Sequence, residues 1–146
     1  MADVKDVELA KAYFRQIENL EGRYQICIEK LAVEKTTSRK LIATYEMMPR
    51  GSSKSDISDH IVKMEQLQDE CLMHYRQLMD KIEEICRFVE NLDVDPISRR
   101  ILVLRYISRY RWEYIAKELH YADVRQVHRK HGKALQAAQK KLEQSL

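Results

Sequence analysis

Apolar residues recur every seven positions through the middle of the chain: Ile57, Met64, Cys71, Leu78, Ile85 and Leu92. Ile61, Leu67, Tyr75, Ile82, Phe88 and Val89 widen that stripe. An unbroken seven-residue repeat predicts a long helix that supercoils with another. This helix is expected from a cap at Asp56 to about Leu92. Before it, Val7, Ala10, Phe14, Ile17, Tyr24, Ile28 and Leu31 follow a second heptad seam, with Glu21 as its one polar intrusion. They predict a helix over residues 4 to about 34, capped by Asp3 or Asp6. Thr36-Thr37-Ser38 is poor helix material, yet Ile42 and Tyr45 keep the register. The helix therefore either runs on to Met47 or restarts after a kink. Gly22 costs about 1 kcal/mol in a helix interior and would let a partner helix come close. The stretch Pro49-Arg50-Gly51-Ser52-Ser53-Lys54-Ser55 reads as a flexible loop. It lacks the Gly-Lys-Ser/Thr pattern of a phosphate-binding loop. The two long helices are then expected to pair antiparallel.

The pattern changes after Asn91. Asn91 to Asp95 reads as a connector, and the domain boundary is placed there, giving 1–93 and 94–146. Asp95 can cap a helix whose first residue is Pro96. Ile97, Ile101, Leu104 and Ile107 then recur at helical spacing. After Ser108 to Arg111, Trp112, Ile115, Ala116 and Leu119 share one face of a second short helix, with Glu113, Lys117 and Glu118 opposite. The small Ala116 suits a steep helix crossing. A third helix should start after Asp123. Its wheel puts Val124, Val127, His131, Ala134, Leu135, Ala138 and Leu142 on one face. Arg125, Gln126, Arg129, Lys133, Gln136 and Lys140 gather opposite. The expected fold is all-α, a long helical hairpin followed by a compact three-helix domain.

A basic helix face by itself is usually only a solvated surface. Charge alone leaves that reading ahead, and it is the Trp-x-x-Ile-Ala-x-x-Leu helix at short spacing before this one that favours the DNA major groove. Arg and Gln can make bidentate contacts to base edges, and Lys neutralises phosphate. Charge is also unevenly distributed. Residues 97–146 hold 12 Lys/Arg against 4 Asp/Glu, a net +8, which leaves −5 for residues 1–96 within an overall +3. A basic third is the electrostatic footprint of a nucleic-acid binder.

The segment LRYISRYRWEYIAKELHYADVRQVHRKHGKAL resembles the helix-turn-helix of sigma-factor region four. More closely, it resembles small phage and prophage regulators of the RinA and ArpU kind and a related phage family. The resemblance rests on Arg105, Tyr106, Ile107, Trp112, Ile115, Ala116, Leu119, Val127, His131, Ala134 and Leu135, about a third of the chain. MPRGSSKSD resembles the mid-chain loop of that family. At the turn, where such motifs usually carry Gly, this chain has His120. The resemblance implies a transcription regulator that binds promoter or operator DNA of a phage or prophage in a bacterial cytoplasm, with late genes as targets. Arg125, Gln126 and Arg129 would read bases. Arg111, His128, Lys130 and Lys133 would lie near phosphates. A non-enzymatic adaptor that binds RNA polymerase or a host protein is the alternative, since sigma region four contacts both. A structural oligomer is a third reading, but it leaves the Trp112–Leu135 pattern unexplained.

Other chemistry is thinly represented. His128 and His131 stand at a permitted ligand spacing, but no second pair and no His-Glu-x-x-His accompany them, so no metal is expected. His131 reads as a partly buried hydrogen-bonding residue, and His60 and His74 as edge positions of the hairpin. No Ser-His-Asp or Cys-His arrangement is recognisable, so the chain reads as no enzyme, and nothing calls for a cofactor. Cys27, Cys71 and Cys86 form no Cys-x-x-Cys pair and read as reduced, small apolar residues. No stretch approaches 18 uncharged apolar residues and the N-terminus is no signal peptide, so no membrane is expected. The hairpin's apolar stripes are wider than one neighbour covers. Exposed apolar area costs about 25 cal/mol per Å². A homodimer forming a four-helix arrangement is expected, or else a fold back onto the C-terminal domain. A dimer would present two recognition helices to two half-sites.

Overall fold

The computed structural model describes residues 7–47 and 54–146. These residues are mostly helical, and none of them lies in a strand. α1 is Glu8–Glu46 and α2 is Lys54–Glu90. α3, Pro96–Leu102, runs directly into a wider π-helical turn, Val103–Ile107. α4 is Trp112–Glu118 and α5 is Val124–Gln144. The expected caps at Asp3 or Asp6 and most of the 49–55 loop lie outside the described residues. α2 begins at Lys54, ahead of the expected start at Asp56. No helix among the described residues is long and apolar enough to cross a membrane.

Packing gathers the residues into two compact units. One contains α1 as far as Asn19 together with Met79–Leu146, and the other is Leu20–Leu78. The sequence reading divides the chain at the Asn91–Asp95 connector instead. The packing joins the residues after Met79 to the first turns of α1.

In the Leu20–Leu78 unit, α1 and α2 run antiparallel. Tyr24 meets Tyr75 with ring centroids 5.7 Å apart, Cys27 meets Cys71, and Glu34 meets His60. Cys27, Leu31 and Cys71 form the core, with Ile28 and Leu67 packed on it. The two thiols lie 2.7 Å apart, and burial pushes Cys71 up to about 11. Glu34 is buried, and its carboxylate accepts from the His60 ring and faces Lys63 at 3.5 Å. The His60 hydrogen bond holds that carboxylate below its usual range. His60 is half-exposed, as an edge position implies, but its ring is bonded to buried Glu34, and His74 has a buried ring nitrogen with no hydrogen-bond partner among the described residues. α1 does not break at Thr36-Thr37. Their hydroxyls donate to the carbonyls of Ala32 and Val33, each at 3.0 Å, and the helix continues. A Cβ placed at Gly22 would meet nothing within 4 Å, so no close helix approach explains this glycine.

The other unit is built around Phe14, which is 1% exposed. Ala10, Ile17, Ile85, Val89 and Leu92 are buried in the same unit. The Phe14 ring meets Phe88 edge-on at 6.1 Å and stacks on Tyr106 at 4.9 Å with only 15° between planes. The first-turn N–H of Ala10, which has no partner within its own helix, donates to Gln139 Oε1 at 2.9 Å. Lys141 donates to the Asn91 carbonyl at 3.0 Å and stands over the Phe88 ring. Arg99 closes the end of α2, donating twice to the Leu92 carbonyl at 3.2 and 3.1 Å. Asp95 caps α3 as its sequence position implies. It accepts from the Ser98 N–H at 3.4 Å and from the Ser98 hydroxyl. Ile101, Ile115, Ala116 and Val127 form the centre of the three-helix part.

Phe14→Ala should cost about 3–5 kcal/mol in urea unfolding. Ile26→Ala, at a side chain 55% exposed, should change stability by less than about 0.5 kcal/mol. The Ser98 hydroxyl and the Lys130 ammonium hold Asp95 down from 3.8 to about 2. Its stabilising effect is therefore complete above pH 3.8 and is lost as pH falls toward 2. Asp95→Ala should cost about 1 kcal/mol at neutral pH. The gap to the unaltered chain should close on acidification.

Candidate nucleic-acid interface

α4 and α5 are set by two turns that each require a left-handed residue. Arg109 has φ 60° and His120 has φ 62°. After α4, the Tyr121 N–H donates to the Ala116 carbonyl at 2.9 Å and the His120 N–H to Lys117 at 3.1 Å. That pair of bonds is the Schellman ending, in which glycine usually takes the left-handed position. His120 takes it here, without glycine's steric freedom. Before α4, the Ser108 N–H donates to Val103 and the Tyr110 N–H to Leu104, each at 3.0 Å. The wider π turn provides these bonds. Arg105 then donates to the Tyr110 carbonyl at 3.0 Å and lies over the Trp112 ring, 4.4 Å from its centroid.

Asp123 caps α5 by accepting from the Arg125 N–H at 2.8 Å. Val127, Ala134, Leu135 and Ala138 are buried along the inner face of α5. His131 lies on the same side. Its Nε2 is 2.7 Å from the Tyr106 hydroxyl, and its ring meets Trp112 at 4.6 Å. Burial first, then the charges of His128, Arg105 and Lys11, push His131 down from 6.5 to about 4. The ring is neutral at pH 7, and Nε2 shares a hydrogen bond with the Tyr106 hydroxyl whose direction follows the tautomer.

Arg125, Gln126, His128, Arg129 and Lys133 are all exposed on α5, and Arg111 is exposed just before α4. Two of the expected phosphate contacts have neighbours inside the protein. Lys130 is half-buried, with its ammonium 3.2 Å from Asp95. The exposed His128 leans on Trp112 with centroids 4.6 Å apart. Among the described residues no three His, Cys, Asp or Glu side chains gather as a metal site would need. Sequence reasoning missed a group of cations elsewhere in this unit. Lys11, Arg15, Arg105 and Arg109 line one cavity with Phe14, Tyr106 and Trp112. Helical periodicity gave no signal for it, because Lys11 and Arg105 are far apart in the chain.

Comparison with models of known families, with curated proteins and with solved structures finds no match to this chain.

Below pH 6.5 the unfolded chain takes up a proton that folded His131 refuses until about pH 4. Stability should therefore fall as pH drops through that window, by about 3 kcal/mol at most. His131→Gln keeps a hydrogen-bonding group for Tyr106 without a titrating ring and should flatten this acid slope. Urea midpoints at pH 7, 6 and 5 measure it.

Proposed function

We propose that this chain is a non-enzymatic transcription regulator of the phage type, binding promoter or operator DNA through α4, its turn and α5. The carrying observation is the division of α5 into two faces. Val127, Ala134, Leu135 and Ala138 are buried, while Arg125, Gln126, Arg129 and Lys133 stand exposed. The tight Schellman turn at His120 fits a helix-turn-helix of the sigma-region-four kind. In this reading Arg125, Gln126 and Arg129 reach base edges, and Lys133, His128 and Arg111 face phosphates. Lys130 contributes least, because its ammonium is engaged with Asp95. The hairpin serves as a homodimerisation element. Ile61, Leu72 and Tyr75 support this, being 47%, 47% and 44% exposed on α2. They share one helix face, and an apolar stripe of this kind favours burial against a second copy. The proposed setting is a bacterial host cytoplasm.

One observation favours a second reading. Tyr110 and Tyr114 pair with centroids 4.4 Å apart and are 41% and 45% exposed. Exposed aromatics of this kind suit a protein surface such as RNA polymerase better than a phosphate backbone.

Fluorescence anisotropy against DNA from upstream of the chain's own gene, with an unrelated duplex as control, tests the proposal. Arg129→Ala should cost about 1–3 kcal/mol and relax sequence preference. Lys133→Ala should weaken both duplexes alike and lower the salt slope by about 1. Equal weak binding to both duplexes, unmoved by Arg129→Ala, would overturn it and favour the polymerase reading.

A further inference from the structure

A cavity of about 390 Å³ lies among the first turns of α1, the π turn, the turn at Arg109 and the inner side of α5. Its walls carry Lys11, Arg15, Arg105 and Arg109 against a single carboxylate, Glu18. Each positive charge comes with a different degree of internal neutralisation. Lys11 stands 4.0 Å from Glu8, at the limit of an ion pair. Arg109 is 3.8 Å from Glu18. Arg105 is held by the Tyr110 carbonyl and the Trp112 ring, neither of which cancels its charge. Arg15 is exposed on α1 and has no ion pair or hydrogen bond to another described residue. The remaining wall is aromatic, from Phe14, Tyr106 and Trp112. His131, neutral at pH 7, adds no charge but closes the inner end.

Like charges gathered around a shared space repel one another unless something negative occupies it. Guanidinium groups match the oxygens of a phosphate in pairs, which a lone ammonium does not. The cavity is more than ten times the roughly 30 Å³ that a water occupies. It therefore has room for more than a bare anion. Its volume lies in the range of about 300–1,000 Å³ usual for small-molecule sites, and its wall is more charged than apolar, which suits an anionic ligand. We infer that this cavity binds a small phosphate ester, with the phosphate toward Arg15, Arg105 and Lys11 and the organic part against Tyr106 and Trp112, behind which Phe14 is buried.

No residue assigned to DNA lines the cavity, although His128 packs on its wall residue Trp112. On the α5 wheel, His131 lies about 200° from both Arg129 and Lys133. The inference thus does not depend on DNA binding.

Isothermal titration of the full chain with inorganic phosphate, pyrophosphate and AMP, at matched ionic strength, tests it. AMP should bind saturably, with a Kd below about 1 mM and more tightly than inorganic phosphate. Arg15→Gln and Arg15→Glu, at an exposed position, should each weaken AMP by at least about tenfold. Lys133→Glu, on the opposite face of α5, should leave AMP binding unchanged. Absence of saturable binding by all three compounds would overturn the inference. Equal weakening by Arg15→Glu and Lys133→Glu would also overturn it, since net charge alone would then explain the effect. Displacement of AMP by duplex DNA, with Arg15→Glu weakening DNA and AMP alike, would assign these cations to the DNA backbone and overturn it as well.

Discussion

The stacking of Phe14 on Tyr106 is the contact on which the unit that holds α3, α4 and α5 depends. It joins the first helix to the π turn, two segments far apart in the chain. The Tyr106 hydroxyl then fixes His131, and the His131 ring packs against Trp112. A single aromatic relay thus reaches from α1 to the inner side of α5. Each ring pair contributes only about 0.5–1.5 kcal/mol beyond its burial. The relay's larger effect is geometric. It commits one side of α5 to the interior and leaves the arginines and Gln126 on the other side exposed.

The same arrangement explains why the polar groups beneath α5 are neutral or paired. His131 is buried among cations, and it stays neutral because protonating it there would cost more than leaving it so. Asp95 carries two tasks at once. It caps α3 through Ser98 and holds the Lys130 ammonium. A lysine that would otherwise extend the basic face of α5 is tied to the start of α3 instead. The exposed positive charge on α5 consequently lies at Arg125, Arg129, Lys133 and Lys140.

Local signals in the sequence located most of the elements. Asp95-Pro96 and Asp123 mark helix starts because capping chemistry is contained within three or four residues. The seven-residue repeat of Cys71, Leu78, Ile85 and Leu92 marks a buried seam, since periodicity along a helix is itself local information. Features that depend on a distant partner were not legible. Nothing around Cys27 indicates that Cys71 faces it, and nothing around Glu34 indicates His60. Lys130 looked like a free phosphate contact because Asp95 is 35 residues away. The π turn was equally hidden. Val103–Ile107 has ordinary helical spacing, and its extra width meets the hydrogen-bonding needs of the turn at Arg109. The cavity cations come from segments that only the Phe14–Tyr106 contact brings together.

Under the proposed function, the outward face of α5 reads DNA while its inward face is fixed by the aromatic relay. Amide chemical-shift mapping of the full chain during titration with a duplex from its own upstream region tests this most directly. The account predicts shifts concentrated at Arg125, Gln126, Arg129 and Lys133, with the amides of Phe14, Tyr106 and His131 nearly unmoved. Shifts centred on Tyr110 and Tyr114 with α5 silent, or no shifts at all at saturating duplex, would contradict it.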